Sequence, residues 1–338
     1  MDRRASARRR RNKACQGSDR NNVRRTARLS SSPFPPLPIT RPANCPLSLT
    51  TCQHTIETIA SVKGFGYWSG IDVCVEFRPA EPDTGIIFVR RDLEAPVRIP
   101  ATVQYRVQAP RRTNLSNHGA TVEMVEHIMA ALAGLEIDNC EVWIDQSEMP
   151  GCDGSSLKFV DALKGAGVVA QDALRKQLII REITRLGDSD YWIEARPSPN
   201  GSTKIRYRMD YADSCAAIGR QTAEFVVDPE VFCRELAPSR TFMLEEEANW
   251  LLSQGFGTRV QHRDVLVFGE NGPIDNELRF DDECVRHKIL DIVGDLALAG
   301  CHVVGEFIAH RSGHRLNADL VKVLLNEGTV VETRRLSA

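Results

Sequence analysis

Two short fragments of the chain carry side chains that could bind a metal ion and activate water. His287 and Asp291 stand four positions apart in an apolar stretch that predicts a helix over 284–300. At this spacing both side chains lie on one helical face, with their Cβ atoms roughly 5–6 Å apart. Glu126 and His127 are neighbours at the head of a second apolar run. Three such ligands with an open fourth position suit a hydrolytic zinc site, and the spare carboxylate would activate the attacking water.

A histidine and an aspartate at this spacing also have a simpler explanation. On an amphipathic helix such a pair usually forms a surface contact or a hydrogen bond between side chains. The same face carries Asp295, so it is not a purely apolar stripe. Another pair at this spacing, His310 and His314, encloses Gly313, which disfavours a helix there. Spacing alone therefore leaves both explanations open.

Composition places the chain among ordinary globular proteins. It has 338 residues and a formal net charge of −2, with 42% hydrophobic and 26% charged residues. The length fits two domains or one long one. No apolar run approaches the roughly 18–20 residues of a membrane span. The ten cysteines are scattered without a CxxC pair, which is typical of a reduced, cytoplasmic protein.

The first 50 residues differ in composition from the rest. Residues 1–28 hold eleven Lys or Arg and two acidic residues, and residues 30–46 are rich in Ser and Pro. We therefore predict a disordered basic tail over 1–50. It could be an arm for nucleic acid or a membrane surface, or a dispensable segment that follows a start codon assigned too far upstream. We favour the dispensable segment and expect no nucleic-acid partner.

Hydrophobic periodicity predicts the same order of elements twice. In the first half it predicts strands at 71–80, 85–93 and 140–145 and helices at 122–135 and 156–167. In the second half it predicts strands at 176–188, 190–197, 204–212 and 303–311 and helices at 284–299 and 316–328. The order indicates an α+β fold of two similar domains, each a β-sheet packed with helices. We place domain I at 51–174 and domain II at 175–338, with the active site at the domain interface.

Six longer stretches resemble one known family. The matching stretches are RPAEPDTGIIFVRRDL (78–93), VEHIMAALAGLEIDN (125–139), SEMPGCDGSS (147–156), SRTF (239–242), RFDDECVRHKILDIVGDLALAG (279–300) and SGHRLN (312–317). With them the chain resembles the UDP-3-O-acyl-N-acetylglucosamine deacetylases, zinc enzymes of lipid A biosynthesis. The stretches appear in the family's order, and the basic tail lies outside them.

The resemblance implies the metal, the ligands and the reaction. The zinc ligands would be His127, His287 and Asp291, with Fe²⁺ as an alternative metal. The reaction would be removal of the N-acetyl group from an acylated UDP-N-acetylglucosamine by a monomeric enzyme. The apolar passage for the acyl chain would lie in a second-domain insert at about 249–272.

The resemblance also implies roles for the groups that move protons and hold charge. Glu126 would be the general base. His314 would be a cationic partner that Asp295 orients and charges, and Thr241 would donate a hydrogen bond to the oxyanion. Either His314 or Glu126 would protonate the leaving amine, and the sequence does not decide between them.

Substrate contacts are the part of the resemblance in which this chain departs from the family. Lys288 matches a lysine near the substrate phosphates, and we expect Phe242 to contact the substrate. Trp68 stands where the family commonly has a histidine, in the stretch GFGYWSG (64–70). This departure motivates a second hypothesis, in which the protein is a non-catalytic or substrate-shifted binder of a nucleotide-sugar lipid.

Overall fold

The computed structural model of the chain describes residues 39–40 and 52–332. The predicted tail at 1–50 lies almost entirely outside the described residues. The strands of the first half are β1 (Ile39–Thr40), β2 (Cys52–Ile56), β3 (Ala60–Phe65), β4 (Asp72–Pro79), β5 (Ile86–Arg90), β6 (Val97–Pro100), β7 (Arg106–Val107), β8 (Asn114–Asn117), β9 (Ala120–Val122), β10 (Cys140–Ile144) and β11 (Val168–Leu174). Its helices are α1 (Glu126–Gly134) and α2 (Leu157–Ala166).

The second half contributes more helix than the first. Its strands are β12 (Lys176–Ile179), β13 (Thr184–Gly187), β14 (Trp192–Arg196), β15 (Thr203–Asp210), β16 (Arg220–Val226), β17 (Phe242–Leu244), β18 (Leu266–Gly269), β19 (Gly272–Pro273), β20 (His302–His310) and β21 (Thr329–Glu332). Its helices are α3 (Pro229–Val231), α4 (Glu245–Ser253), α5 (Glu283–Leu296) and α6 (His314–Glu327). The predicted α+β class is confirmed.

The main sheets of the two halves have the same topology. The first sheet has the order β3-β4-β10-β5-β6, and the core of the second has the order β13-β14-β20-β15-β16. In each, the middle strand is antiparallel to the strand before it in this order and parallel to the strand after it. The second sheet is extended by β12 and β21. This repeat agrees with two similar halves, while the domain boundary at 174/175 stays a prediction.

Two predicted elements have different bounds in the structure. The helix predicted at 122–135 begins at Glu126, because Ala120–Val122 pairs with β8 as a strand. The strand predicted at 176–188 is two strands, β12 and β13, with exposed residues 181–183 between them. The two strands pair with different neighbours, β20 and β14, so no continuous ladder could include both.

Helices α1 and α5 pack against each other and position the candidate site. Both helices are largely buried, and α5 buries polar residues (Glu283, His287, Asp291 and Asp295) together with its apolar ones. Gly294 marks their closest approach, since a Cβ there would lie 2.2 Å from the main-chain oxygen of Glu126. Any larger side chain at 294 would separate the helices at the level of the site.

The state of the cysteines bears on the prediction of a reduced protein. Apart from Cys52, the cysteines at described positions are free thiols. Burial raises the pKa of Cys140, Cys152 and Cys284 to about 12, so these thiols pack as small apolar groups.

Within the described residues, every helix is too short or too polar to cross a membrane.

Candidate active site

The packing of α1 on α5 brings the three predicted metal ligands together. One ligand atom from each of His127, His287 and Asp291 lies within 4.8 Å of the others. Asp291 Oδ1 lies 3.4 Å from His287 Nε2 and 3.9 Å from His127 Nε2. All three residues are buried, and the two imidazole rings are nearly perpendicular. The pair four positions apart is therefore not a surface contact.

Both imidazoles are neutral and lie beside the carboxylate of Asp291. His287 Nδ1 lies 3.1 Å from the main-chain oxygen of Ser239, so Nδ1 carries the proton and donates it there. Burial lowers the pKa of His127 to about 3 and also lowers the pKa of His287, which leaves both rings neutral at pH 7. Their contacts with Asp291 are therefore not ion pairs, and the space between the three atoms can hold a cation.

Asp291 has one satisfied oxygen and one unsatisfied oxygen. Its Oδ2 accepts a hydrogen bond from Lys288 Nζ at 2.9 Å. Its Oδ1 is buried and has no hydrogen-bond partner among the described residues. Burial disfavours the ionised form, but His287 and Lys288 outweigh it and hold the pKa of Asp291 below its ordinary value. A buried anionic oxygen that faces two neutral nitrogens fits a divalent cation such as zinc.

Glu126 begins α1 and lies beside the three ligands. Its side chain is buried, and its Oε2 accepts a hydrogen bond from the main-chain nitrogen of Thr113 at 2.9 Å. Burial raises the pKa of Glu126 to about 7, although the charge of His314 opposes the shift. A carboxyl group with a pKa near neutrality is suited to accept a proton from water.

His314 and Asp295 form the pair that the family resemblance implied. His314 Nδ1 lies 2.9 Å from Asp295 Oδ2, which also accepts from Asn317 Nδ2 at 2.9 Å. Asp295 Oδ1 accepts from the hydroxyl of Thr113 at 2.7 Å. Burial opposes a charge on His314, but the Asp295 carboxylate outweighs burial and raises the pKa to about 9. The ring is therefore cationic at neutral pH.

These groups open into one cavity of about 820 Å³. Its polar residues include Glu126, His127, Thr241, His287, Lys288, Asp291 and His314. Its apolar wall comes mainly from α4 and the chain after it, with Leu251, Leu252, Phe256, Val260, Val265 and Val267. The predicted insert at 249–272 thus lines the cavity that holds the polar cluster.

Thr241 and Phe242 enter the cavity from the loop before β17 and from β17 itself. The main-chain nitrogen of Thr241 donates to the oxygen of Gly154 at 2.7 Å, which fixes the loop. Gly154 has a φ of +78°, and a Cβ there would approach Thr241 Cγ2 to 3.0 Å, so the contact requires glycine. The ring of Phe242 lies 5.5 Å from Lys288 Nζ. Lys288 thus lies between an aromatic ring and the metal-ligand carboxylate.

Trp68 lies on the cavity wall as an aromatic surface. Its ring is 5.6 Å from the ring of Phe256, and the guanidinium of Arg112 lies 4.3 Å from its centre. Its main-chain nitrogen donates to Glu148 Oε1 at 2.8 Å. The side chain carries no charge, and Arg112 places a positive group against its face.

The other histidine pair at four-residue spacing does not form a site. His310 ends β20 and its ring packs near Trp192, whereas His314 begins α6. The change from strand to helix separates the two rings, as Gly313 predicted.

Sequence reasoning missed three residues that hold the site together. Ser239 and Asn317 lie inside matched motifs, so their positions in those motifs could have identified them as residues of the site. Thr113 lies outside every matched motif. It contacts Glu126 and Asp295, which are 13 and 182 positions away, and no local pattern predicts such contacts.

The site combines two neutral imidazoles, a partly unsatisfied carboxylate, a carboxyl group with a pKa near 7 and a cationic histidine. This combination is that of a metal-dependent hydrolase. Residues 53–326 match the family described as UDP-3-O-acyl N-acetylglycosamine deacetylase. The UDP-3-O-acyl-N-acetylglucosamine deacetylases of Brucella ovis and Brucella abortus are each 38% identical over 282 residues, which is 83% of this chain and 97% of each relative. The chain belongs to this deacetylase family.

Proposed function

We propose that the protein removes the N-acetyl group from UDP-3-O-(3-hydroxyacyl)-N-acetylglucosamine. The products are UDP-3-O-acylglucosamine and acetate, and the reaction is an early committed step of lipid A biosynthesis. The names of the family and of its relatives support the substrate. The observation that carries the chemistry is that His127, His287 and Asp291 meet in one cavity with Glu126 and His314.

The proposed metal is zinc, with Fe²⁺ as the alternative. His127 Nε2, His287 Nε2 and Asp291 Oδ1 would hold it, because these atoms face one another and both rings are neutral. When bound, the metal supplies Lewis acidity that activates water and polarises the acetyl carbonyl. Mixed nitrogen and oxygen donors suit both zinc and Fe²⁺, so the donor set is compatible with either metal and does not distinguish between them.

Glu126 is the proposed general base. It takes a proton from the attacking water and keeps that water aimed at the acetyl carbonyl carbon. Its pKa of about 7 means that a large fraction is ionised at neutral pH and that the protonated form can return the proton. The hydrogen bond from the Thr113 main chain holds one carboxyl oxygen and leaves the other for water.

His314 is the proposed source of the proton for the leaving amine. Its pKa of about 9 keeps it cationic at neutral pH, so it stabilises developing negative charge before it donates. Asp295 fixes Nδ1, which leaves Nε2 as the nitrogen that can donate. Thr241 would add a hydroxyl donor for the oxyanion, an interaction worth roughly 3–4 kcal/mol in the transition state.

The cavity supports an orientation for the substrate. The acyl chain would lie against Leu251, Leu252 and Phe256, which are apolar and lie on one wall. Lys288 uses one of its donors on Asp291 and keeps others for the substrate phosphates, beside the ring of Phe242.

The remaining expectations follow from the same proposal. The division into domains 51–174 and 175–338 places α1 in one and α5 in the other, so the site would lie between them. We expect a monomer in the cytoplasm. The binder hypothesis, motivated by Trp68, is the weaker one, because every polar group that the reaction needs lines the cavity.

The first experiment combines metal analysis with acetate release from the purified protein, with and without a chelator. One metal per chain and chelator-sensitive release of acetate from UDP-3-O-acyl-N-acetylglucosamine are expected. The variant Glu126→Ala should keep the metal and lose turnover. Bound metal with no turnover by the unmodified protein would favour the binder, and near-normal turnover by the variant would exclude Glu126 as the base.

A further inference from the structure

Thr113 contacts two carboxylates of the proposed site at once, the proposed base Glu126 and Asp295, which orients His314. Its main-chain nitrogen donates to Glu126 Oε2 at 2.9 Å, and its hydroxyl donates to Asp295 Oδ1 at 2.7 Å. Thr113 is 1% exposed. One residue thus connects the carboxylate that begins α1 to the carboxylate in the last turn of α5.

The main chain fixes Thr113 independently of its hydroxyl. The main-chain oxygen of Thr113 accepts from Val125 at 3.0 Å, directly before Glu126. The next residue, Asn114, accepts from the main-chain nitrogen of Met124 at 3.2 Å. The segment therefore lies along the approach to α1, and removal of the hydroxyl should leave its path unchanged.

The hydroxyl determines how the carboxylate of Asp295 is oriented. Oδ2 already accepts from His314 and Asn317, and among the described residues the hydroxyl of Thr113 is the hydrogen-bond donor to Oδ1. A carboxylate held at both oxygens cannot rotate, so the ring that it bonds is also fixed. Asp295 is fully buried, and water does not readily replace a missing donor there.

We propose that Thr113 is a positioning residue that holds the His314–Asp295 pair in register with Glu126. This proposal rests on the proposed function, in which Glu126 accepts the proton of water and His314 acts on the leaving amine. Because the residue that bonds Glu126 also bonds Asp295, the base and the cationic histidine keep a fixed spacing during turnover.

The test uses the full chain with its metal and three substitutions. Thr113→Val removes the hydroxyl and keeps the shape, and Thr113→Ser restores it. Thr55→Val is the matched control, because Thr55 is also buried and its hydroxyl donates to the oxygen of Asn139 at 2.7 Å, away from the cavity. The measurements are kcat, KM, metal content and the proton NMR signal of His314 Nδ1–H, which the bond to Asp295 shifts downfield.

We expect Thr113→Val to lower kcat roughly 10- to 100-fold with little change in KM or metal content. The Nδ1–H signal should broaden or disappear in this variant and return in Thr113→Ser together with kcat. Thr55→Val should keep both kcat and the signal. Wild-type kcat and an unchanged signal in Thr113→Val would overturn the proposal.

Failure of the proposed function would be distinguishable. If the unmodified protein releases no acetate, the deacetylase assignment fails, and the NMR signal of the same three variants still tests the positioning role. A signal lost in Thr113→Val and kept in Thr55→Val supports that role. A signal kept in both contradicts it.

Discussion

Two buried clusters of histidine and carboxylate groups differ in whether their buried carboxylate oxygens all have hydrogen-bond donors. In the first, Arg175 lies 2.9 Å from Asp138 and 3.1 Å from Glu136, and its guanidinium also contacts His54 Nδ1. Burial and the charge of Arg175 lower the pKa of His54 to about 4, so its unpartnered Nε2 leaves no charge uncompensated. In this cluster one buried cation bonds both carboxylates, which is typical of a structural ion network.

The second cluster is the candidate metal site, in which Lys288 bonds one oxygen of Asp291 and the other oxygen has no donor in the described part of the chain. Asp291 Oδ1 faces two neutral imidazoles and has no hydrogen-bond partner among the described residues. Burial of charge is common to both clusters, so burial alone does not identify a site. The distinguishing feature is a group of potential ligand atoms that face one another, one of which has no hydrogen-bond donor within the described ranges.

Removal of a ligand should have the largest effect. Asp291→Ala deletes the anionic oxygen, so we expect loss of stoichiometric metal and a fall in turnover of roughly a thousand-fold, since several kcal/mol of transition-state stabilisation depends on the metal. Metal analysis and acetate release measure both. Asp319→Ala, at an exposed pair with Lys322, is the control and should change neither. If the Asp291→Ala protein still bound metal and kept its activity, Asp291 would not be a metal ligand. The proposed difference between the two clusters would then be wrong.

Removal of the central cation from the structural cluster should lower stability and leave chemistry intact. Arg175 is 2% exposed, and Arg175→Met leaves Asp138 without its partner, so the free energy of unfolding should fall by about 3–5 kcal/mol. Turnover per folded molecule should not change. Denaturant unfolding and kcat test this pair of outcomes. Lys176→Met, at a more exposed pair with Asp83, should cost less than about 1 kcal/mol. A lower kcat in folded Arg175→Met would mean that this cluster serves the site.

The chemistry of the site was more predictable from sequence than the contacts that hold it. His287 and Asp291 share a helical face, and Glu126 adjoins His127, so local spacing and family motifs identified them. Thr113 could not be found in this way, because its partners become neighbours only after the two halves pack.

The fold shows the same limit. Patterns of apolar residues predicted β4, β5 and β10 because each has at least five residues. Strands of two to four residues, such as β7, β8 and β19, are too short to display such a pattern. These short strands form because they pair with neighbouring strands, and the periodicity of one segment does not show which strand it will pair with.

A third prediction concerns pH and uses the charge that Asp295 places on His314. Burial lowers the pKa of His314, but Asp295, Asp291 and Glu126 outweigh it and raise the value to about 9. Activity that needs the cationic ring is therefore present below that pKa and lost as the pH rises through it. Asp295→Asn removes the nearest negative charge, so the alkaline limb of kcat should move to lower pH, with a loss of roughly 10- to 100-fold at pH 8. An alkaline limb at the wild-type position would show that His314 does not act as the cation.

The smallest effect is expected on the cavity wall, at Trp68. Its ring contacts Phe256 and Arg112, and no hydrogen bond or ring contact joins it to Glu126 or to a metal ligand in the described chain. A contact of the Arg112 type is worth about 0.5–1 kcal/mol, so Trp68→His should raise KM about threefold and leave kcat and metal content unchanged. Trp68→Phe keeps an aromatic ring and should stay near the wild-type KM. A lower KM in Trp68→His would instead mean that a polar ring binds this substrate better, and that the tryptophan suits a ligand other than the one proposed.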